Sequence, residues 1–212
     1  MKEIFDLPTD LIVSQIDSVI SDLDIEVIKI GMLNNVDLIR FISRELKTMR
    51  LVVDPVMVAT SGDVLVSEEV IGIMKDMLFQ NAEIITPNLA EAEVLSGVKI
   101  NNEKDQLTAA KELLKLGSKH VLVKGGHLEG SIIKDILVAN DYEEHFEHKK
   151  VITENTHGTG CTLASSIAAK LAQEIPMKTA VEESIDFVIS LLSASPKVGR
   201  GNGPLVHGVK FN

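Results

Sequence analysis

Residues 83–126 read EIITPNLAEAEVLSGVKINNEKDQLTAAKELLKLGSKHVLVKGG. Glu83-Ile84-Ile85-Thr86 is a short apolar run cut by Pro87, which reads as a strand. Asn88 to Ser96 and Glu103 to Leu116 keep helical spacing, and glycines, Gly97 and Gly117, end them. His120-Val121-Leu122-Val123-Lys124 is a second continuous apolar run, stopped by Gly125-Gly126. Strands apolar along their whole length, separated by helices, imply a largely parallel sheet covered on both faces.

The same alternation extends in both directions. Upstream, Leu51-Val52-Val53 stops at Asp54-Pro55, and Glu26 to Ile30 stops at Gly31. Leu11, Ile12, Ile16, Val19 and Ile20 form a helical stripe with Thr9 as its expected N-cap, and Leu38, Ile39, Ile42 and Leu46 form another. Ser67-Glu68-Glu69 opens a further helix with a cap and an acidic first turn, its inner stripe being Val70, Ile71, Met74, Met77 and Leu78. Downstream, Ile132 to Val138 and Tyr142 to Lys150 flank Asn140-Asp141 as a hairpin, with His145 and His148 expected to face solvent. Helices are expected near Cys161 to Gln173 and Met177 to Ala194, before a glycine-rich tail, Gly199 to Gly208. No linker or repeat divides the chain, so residues 1–212 read as one α/β domain.

The 31 acidic and 21 basic residues give a formal charge of −10. Such a surface repels nucleic acid backbones and anionic membranes. With no Trp and one Tyr, stacking platforms for single strands are also scarce. Cys161 is the one cysteine, so no intrachain disulfide forms. The residues after Met1 form no signal-peptide core, and no apolar run approaches the ~20 residues of a membrane span; a cytoplasmic protein is expected.

Ligand sites of parallel sheets gather at the carboxyl ends of the strands, where the polar and glycine punctuation of this chain falls. Asn155-Thr156-His157-Gly158-Thr159-Gly160-Cys161-Thr162 places two glycines before a helix of small residues. Backbone amides at such a helix start make an anion hole for a phosphoryl group, and they favour a thiolate at Cys161. The plainer reading is a glycine turn before a closely packed helix. Asn88-Leu89-Ala90-Glu91 sets an amide and a carboxylate on one helical face, either for a hydrated Mg²⁺ or as a helix capping box. Asp54 either faces a metal-bound water or caps its strand. Lys124 and Gly125-Gly126-His127 either let a nucleotide approach the backbone or make a tight turn.

These segments together resemble the hydroxymethylpyrimidine/phosphomethylpyrimidine kinases of thiamine biosynthesis, which have the ribokinase-like fold. The resemblance runs nearly end to end, through Lys29-Ile30-Gly31-Met32-Leu33, Asp54-Pro55-Val56-Met57-Val58-Ala59 with Ser61-Gly62-Asp63, Thr86 to Ala92, Val123 to His127 and Asn155 to Thr162. Cys161 is the discriminating residue, since most ribokinase-like sugar kinases have Asp at that place. The resemblance implies ATP-dependent, Mg²⁺-assisted phosphorylation of the pyrimidine hydroxymethyl group and then of the monophosphate, by a homodimer. It implies catalysis by Cys161 with Gly158, Thr159 and Gly160, and a pyrimidine pocket at Gly31, Met32 and Val56. It also implies nucleotide contacts at Lys124, Gly126, Thr156 and His157, and a metal held near Asp54, Asn88 and Glu91.

Two departures stand out. Met1-Lys2-Glu3-Ile4-Phe5 matches an internal stretch of the family, so the fold is expected to be N-terminally truncated, without the first strands and the glycine-rich substrate loop. A sheet strand without its neighbour is the expected consequence. Thr60 stands where many relatives have lysine. A truncated, non-catalytic nucleotide- or partner-binding paralogue is the alternative to an enzyme, and a cysteine hydrolase or transferase using Cys161 and His157 ranks behind both.

Overall fold

The computed structural model describes residues 5, 7–57, 65–126, 130–195, 198 and 200–208. Six strands form one sheet in chain order: β1 (Val27–Ile30), β2 (Arg50–Val53), β3 (Ala82–Ile85), β4 (His120–Val123), β5 (Ile132–Ala139) and β6 (Glu143–Lys149). β1 to β4 are parallel, and β5 and β6 add an antiparallel hairpin beside β4. The register of β2 on β3 slips between Leu51↔Ala82 and Val52↔Ile84. The α-helices are α1 (Thr9–Ile20), α2 (Val36–Glu45), α3 (Glu68–Ile73), α4 (Leu89–Ser96), α5 (Glu103–Leu114), α6 (Thr159–Leu171) and α7 (Met177–Ala194). The chain continues from α3 into a π turn, Met74–Leu78, and a 3₁₀ turn, Phe79–Asn81.

Successive strand residues serve opposite cores, as the two-residue period of a strand requires. Leu51, Val53, Ile85, Val121, Val123 and Ile136 join the core shared with the helices before β4. Val52, Ile84, Leu122 and Leu137 join Leu163, Ile167 and Val181 under α6 and α7. Two buried faces explain why β2 to β4 read as unbroken apolar runs.

Several boundaries differ from the sequence expectation. Pro8, not Thr9, is the N-cap of α1; Thr9 is the first helical residue, and its hydroxyl accepts from Asn35 Nδ2 at 3.0 Å. Ser67 does cap α3, accepting from the Val70 N–H at 3.3 Å. α6 begins two residues before Cys161, because Gly158 takes a left-handed φ of 85° and turns the chain into the helix. His148 is not solvent-facing: its side chain is 19% exposed and pairs with buried Asp135. His145 is exposed, as expected, and pairs with Glu103 at 3.0 Å.

Among the described residues β1 pairs on one side only, with β2. Ile28 and Lys29 are half-buried, whereas Leu51 and Val52 opposite them are fully buried. An open apolar groove of about 590 Å³ runs between α1, β1 and α2, lined by residues such as Ile12, Ile16, Ile28 and Leu38. This is the unpartnered strand edge expected from the sequence. No helix among the described residues is long and apolar enough to cross a membrane.

Candidate active site

Three polar side chains meet where β2, β3 and β4 end. The ladder continues one residue past each strand: Asp54 N–H donates to Ile30 O, Thr86 N–H to Val53 O and Lys124 N–H to Pro87 O, each at 2.9 Å. This keeps Asp54, Thr86 and Lys124 in register after the apolar runs stop. Asp54 is 1% exposed, and its Oδ1 accepts from Lys124 Nζ at 2.9 Å and from Thr86 Oγ1 at 3.1 Å. Both partners satisfy this buried side chain, which would otherwise be costly to place here.

Asn88 and Glu91 open α4 beside this cluster. Asn88 Oδ1 accepts from the Glu91 N–H at 2.9 Å, and Glu91 Oε2 accepts from the Asn88 N–H at 2.8 Å. The capping-box alternative is therefore realised, using one oxygen of each side chain. Burial raises the Glu91 carboxyl above the ordinary carboxylate range; the Lys124 ammonium and the Asn88 N–H oppose that shift, and the Asp54 charge adds to it.

The start of α6 closes over the pair. A Cβ added at Gly160 would lie 3.1 Å from Lys124 Nζ and 3.6 Å from Asp54 Oδ2, so the bare backbone of Gly160 faces both charges. The N–H groups of Gly158, Gly160 and Cys161 have no acceptor among the described residues, as befits the first turn of a helix. The neighbouring donors are engaged: His157 N–H donates to Gly203 O at 3.1 Å, and Thr159 N–H points to Thr156 O at 3.4 Å. Cys161 is exposed and, with Thr162, Ser165, Ser166, Phe187 and His207, lines an open pocket of about 430 Å³. No hydrogen bond joins Cys161 to His157 among the described residues, so the arrangement has no nucleophile–base pair of a cysteine hydrolase.

Asp54, Asn88, Glu91, Lys124 and Gly160 thus come together at one end of the sheet. Gly31 borders the apolar groove beyond β1, Met32 is exposed, and Val56 is half-buried after β2. Gly126 sits in the turn after Lys124, and Thr156 and His157 lie exposed on the α6 loop. Val58 to Asp63, including Thr60, and His127 lie outside the described residues. No group of three acidic, histidine or cysteine side chains poised for a metal occurs among the described residues. The Asp54 and Glu91 carboxylates, the latter also bonded by the Met57 N–H, are nevertheless of the kind that could hold Mg²⁺, which keeps most of its waters and binds one or two carboxylates together with phosphate oxygens.

Sequence reasoning passed over the supports of this site. Thr86 holds Asp54, and the tail holds the α6 loop: His157 and Pro204 form a β-bridge, and Asn155 Nδ2 donates to Ser195 O at 2.8 Å. Gly203 has to be glycine because a Cβ there would collide with Asn155 Oδ1. Asp135, an acid inside an apolar strand, and Gln106, an amide on the buried stripe of α5, are the signals of a further polar network around Gly125.

The sequence profile of the phosphomethylpyrimidine kinase family matches residues 1–206. The chain belongs to that family. The thiamine biosynthesis bifunctional protein ThiED of Geobacter sulfurreducens is 38% identical over 204 residues, covering 95% of this chain and 42% of that protein. The hydroxymethylpyrimidine/phosphomethylpyrimidine kinase of Rhizobium meliloti is 38% identical over 207 residues, or 95% of this chain and 78% of that protein. Among solved structures, the pyridoxal kinase of Staphylococcus aureus in complex with AMP-PCP superimposes with a TM-score of 0.89 at 31% identity, covering 97% of this chain and 76% of that one. The chain spans less than half of the bifunctional relative and about three-quarters of the other two. The family and these neighbours agree with the ribokinase-like α/β fold read from the sequence.

Proposed function

We propose that this protein transfers the γ-phosphoryl group of ATP to the hydroxymethyl group of 4-amino-5-hydroxymethyl-2-methylpyrimidine and then to the resulting monophosphate, in the cytoplasm and as a homodimer. The observation that carries this reading is the Lys124–Asp54 pair held against the bare backbone of Gly160, at a helix start with open N–H groups. Phosphoryl transfer requires alignment and charge neutralisation more than covalent help, and these groups supply both. The N–H groups of Gly158, Gly160 and Cys161 donate to the oxygens of the transferred group, while Lys124 offsets its charge. Asp54 and Glu91 would hold a hydrated Mg²⁺, whose charge would offset that of the phosphates. Cys161 accepts the proton of the substrate hydroxyl. Gly31, Met32 and Val56 border the pyrimidine, and Gly126, Thr156 and His157 border the nucleotide.

ADP release coupled to a spectrophotometric readout tests this reading, with the hydroxymethylpyrimidine and pyridoxal as competing acceptors. Turnover of the pyrimidine, with kcat lowered about 100-fold in Cys161→Ala and KM nearly unchanged, is the expected result. Binding of ATP without turnover of either acceptor would instead make the chain a nucleotide-binding paralogue.

A further inference from the structure

The turn that carries Lys124 is built without a regular ladder. β4 and β5 pair from His120↔Ala139 to Val123↔Ile136 and then part. Two buried side chains replace the missing bonds. Gln106, fully buried on α5, donates from Nε2 to Val123 O and to Lys134 O, each at 2.9 Å. Asp135, 4% exposed, accepts the Gly125 N–H on Oδ1 at 2.7 Å, and its Oδ2 pairs with His148 Nε2 at 3.2 Å. Gly125 itself tolerates no side chain, because a Cβ would run into the Lys134 carbonyl.

A hairpin needs none of this polar apparatus in its interior. Among the described residues the buried Gln106 Oε1 has no partner, a cost that an apolar residue at this position would avoid. What the two side chains accomplish is local: they fix the backbone on both sides of Lys124 and direct Gly125-Gly126 out of the sheet. The Asp135 bond is charge-assisted and buried, hence short and stiff.

We infer that Asp135 and Gln106 are positioning residues for the Lys124–Gly126 turn, setting the ammonium and the turn backbone toward the nucleotide. The inference rests on the nucleotide-side assignment of Lys124 proposed above. Steady-state kinetics of Asp135→Ala, Asp135→Asn, Gln106→Leu and Lys124→Met, each checked for folding by its thermal midpoint, provide the test. Asp135→Ala and Gln106→Leu should raise the KM for ATP about tenfold while leaving the KM for the pyrimidine within about twofold. Asp135→Asn keeps an acceptor for Gly125 and should restore the KM for ATP to within about threefold of the parent. A purely structural role would lower the thermal midpoint or kcat without this split between substrates. If Lys124→Met raises the KM for ATP but neither Asp135→Ala nor Gln106→Leu distinguishes ATP from the pyrimidine, the positioning role is overturned alone. If Lys124→Met also leaves the KM for ATP unchanged, the nucleotide-side assignment falls, and the inference with it.

Discussion

Gly160 shows how little room the charged centre leaves. A methyl group there would meet Lys124 Nζ, the far end of a flexible side chain, so the protein accommodates it by swinging the ammonium aside. Gly160→Ala should therefore fold with a thermal midpoint within about 3 °C of the parent, yet lose about 100-fold in kcat/KM, because the site loses a preset charge. Equal losses in stability and activity would show that Gly160 matters for helix packing instead. Glu91 permits a second test in the same cluster. Lys124 is the strongest influence lowering a carboxyl that burial otherwise raises. Removing it in Lys124→Met should push the Glu91 pKa further up, as followed by NMR titration of its side-chain carboxyl. Since a raised carboxyl favours the folded state only when protonated, Glu91 contributes its stability at acid pH and loses it as pH rises through the raised value. Glu91→Gln, which keeps an acceptor for the Asn88 N–H, should flatten that part of the stability profile.

At the level of elements, the β5–β6 hairpin gives a prediction of the same sign in the histidine range. His148 on β6 has its pKa raised by the Asp135 carboxylate; burial opposes the shift, and the Lys149 backbone and the Asp186 charge reinforce it. A histidine with a raised folded pKa stabilises the protein fully below the ordinary histidine range and loses that contribution as pH climbs through the raised value. Urea midpoints measured across the neutral range should fall as pH rises, and His148→Gln should remove that slope; an identical slope in the variant would assign it to other groups. The same hairpin shows what was legible in the sequence. Its strands and turn were plain from composition, as were the unbroken apolar runs of β2 to β4 and the caps at Ser67 and Gly97, because these follow from local chemistry and burial. The partners of His148 and Gln106 were not, because Asp135 and the Val123 and Lys134 carbonyls reach them through pairing register and helix placement. The candidate site divides likewise. Lys124 and Asp54 are each legible at their strand ends, but their ion pair, between residues 70 apart in the chain, depends on two strands ending at the same level.

The whole molecule is unevenly held. β2 to β4 are covered on both faces, and Leu51, Val52, Ile84, Ile85, Val121 and Leu122 have no exposed surface. α1 is the contrast: none of its residues is buried, Leu11 and Val19 are about half exposed, and its inner stripe of Ile12, Ile16 and Ile20 borders the open groove beside β1. Its capping is weak as well, since Pro8 offers no side-chain acceptor to the first turn and no basic residue faces the last. A helix of twelve residues is marginal in water without a packed face to support it. Local opening should therefore begin there, at a free energy well below that of global unfolding. Hydrogen exchange followed by mass spectrometry should show peptides from residues 9–20 exchanging at least about 100-fold faster than those from residues 50–53 and 120–123. Replacing Ile16 with Lys, which removes one apolar wall of the groove, should speed exchange in α1 further while leaving protection in β2 and β4 unchanged. Equal protection of α1 and β2 would mean that the groove is closed in solution and that α1 belongs to the cooperative core.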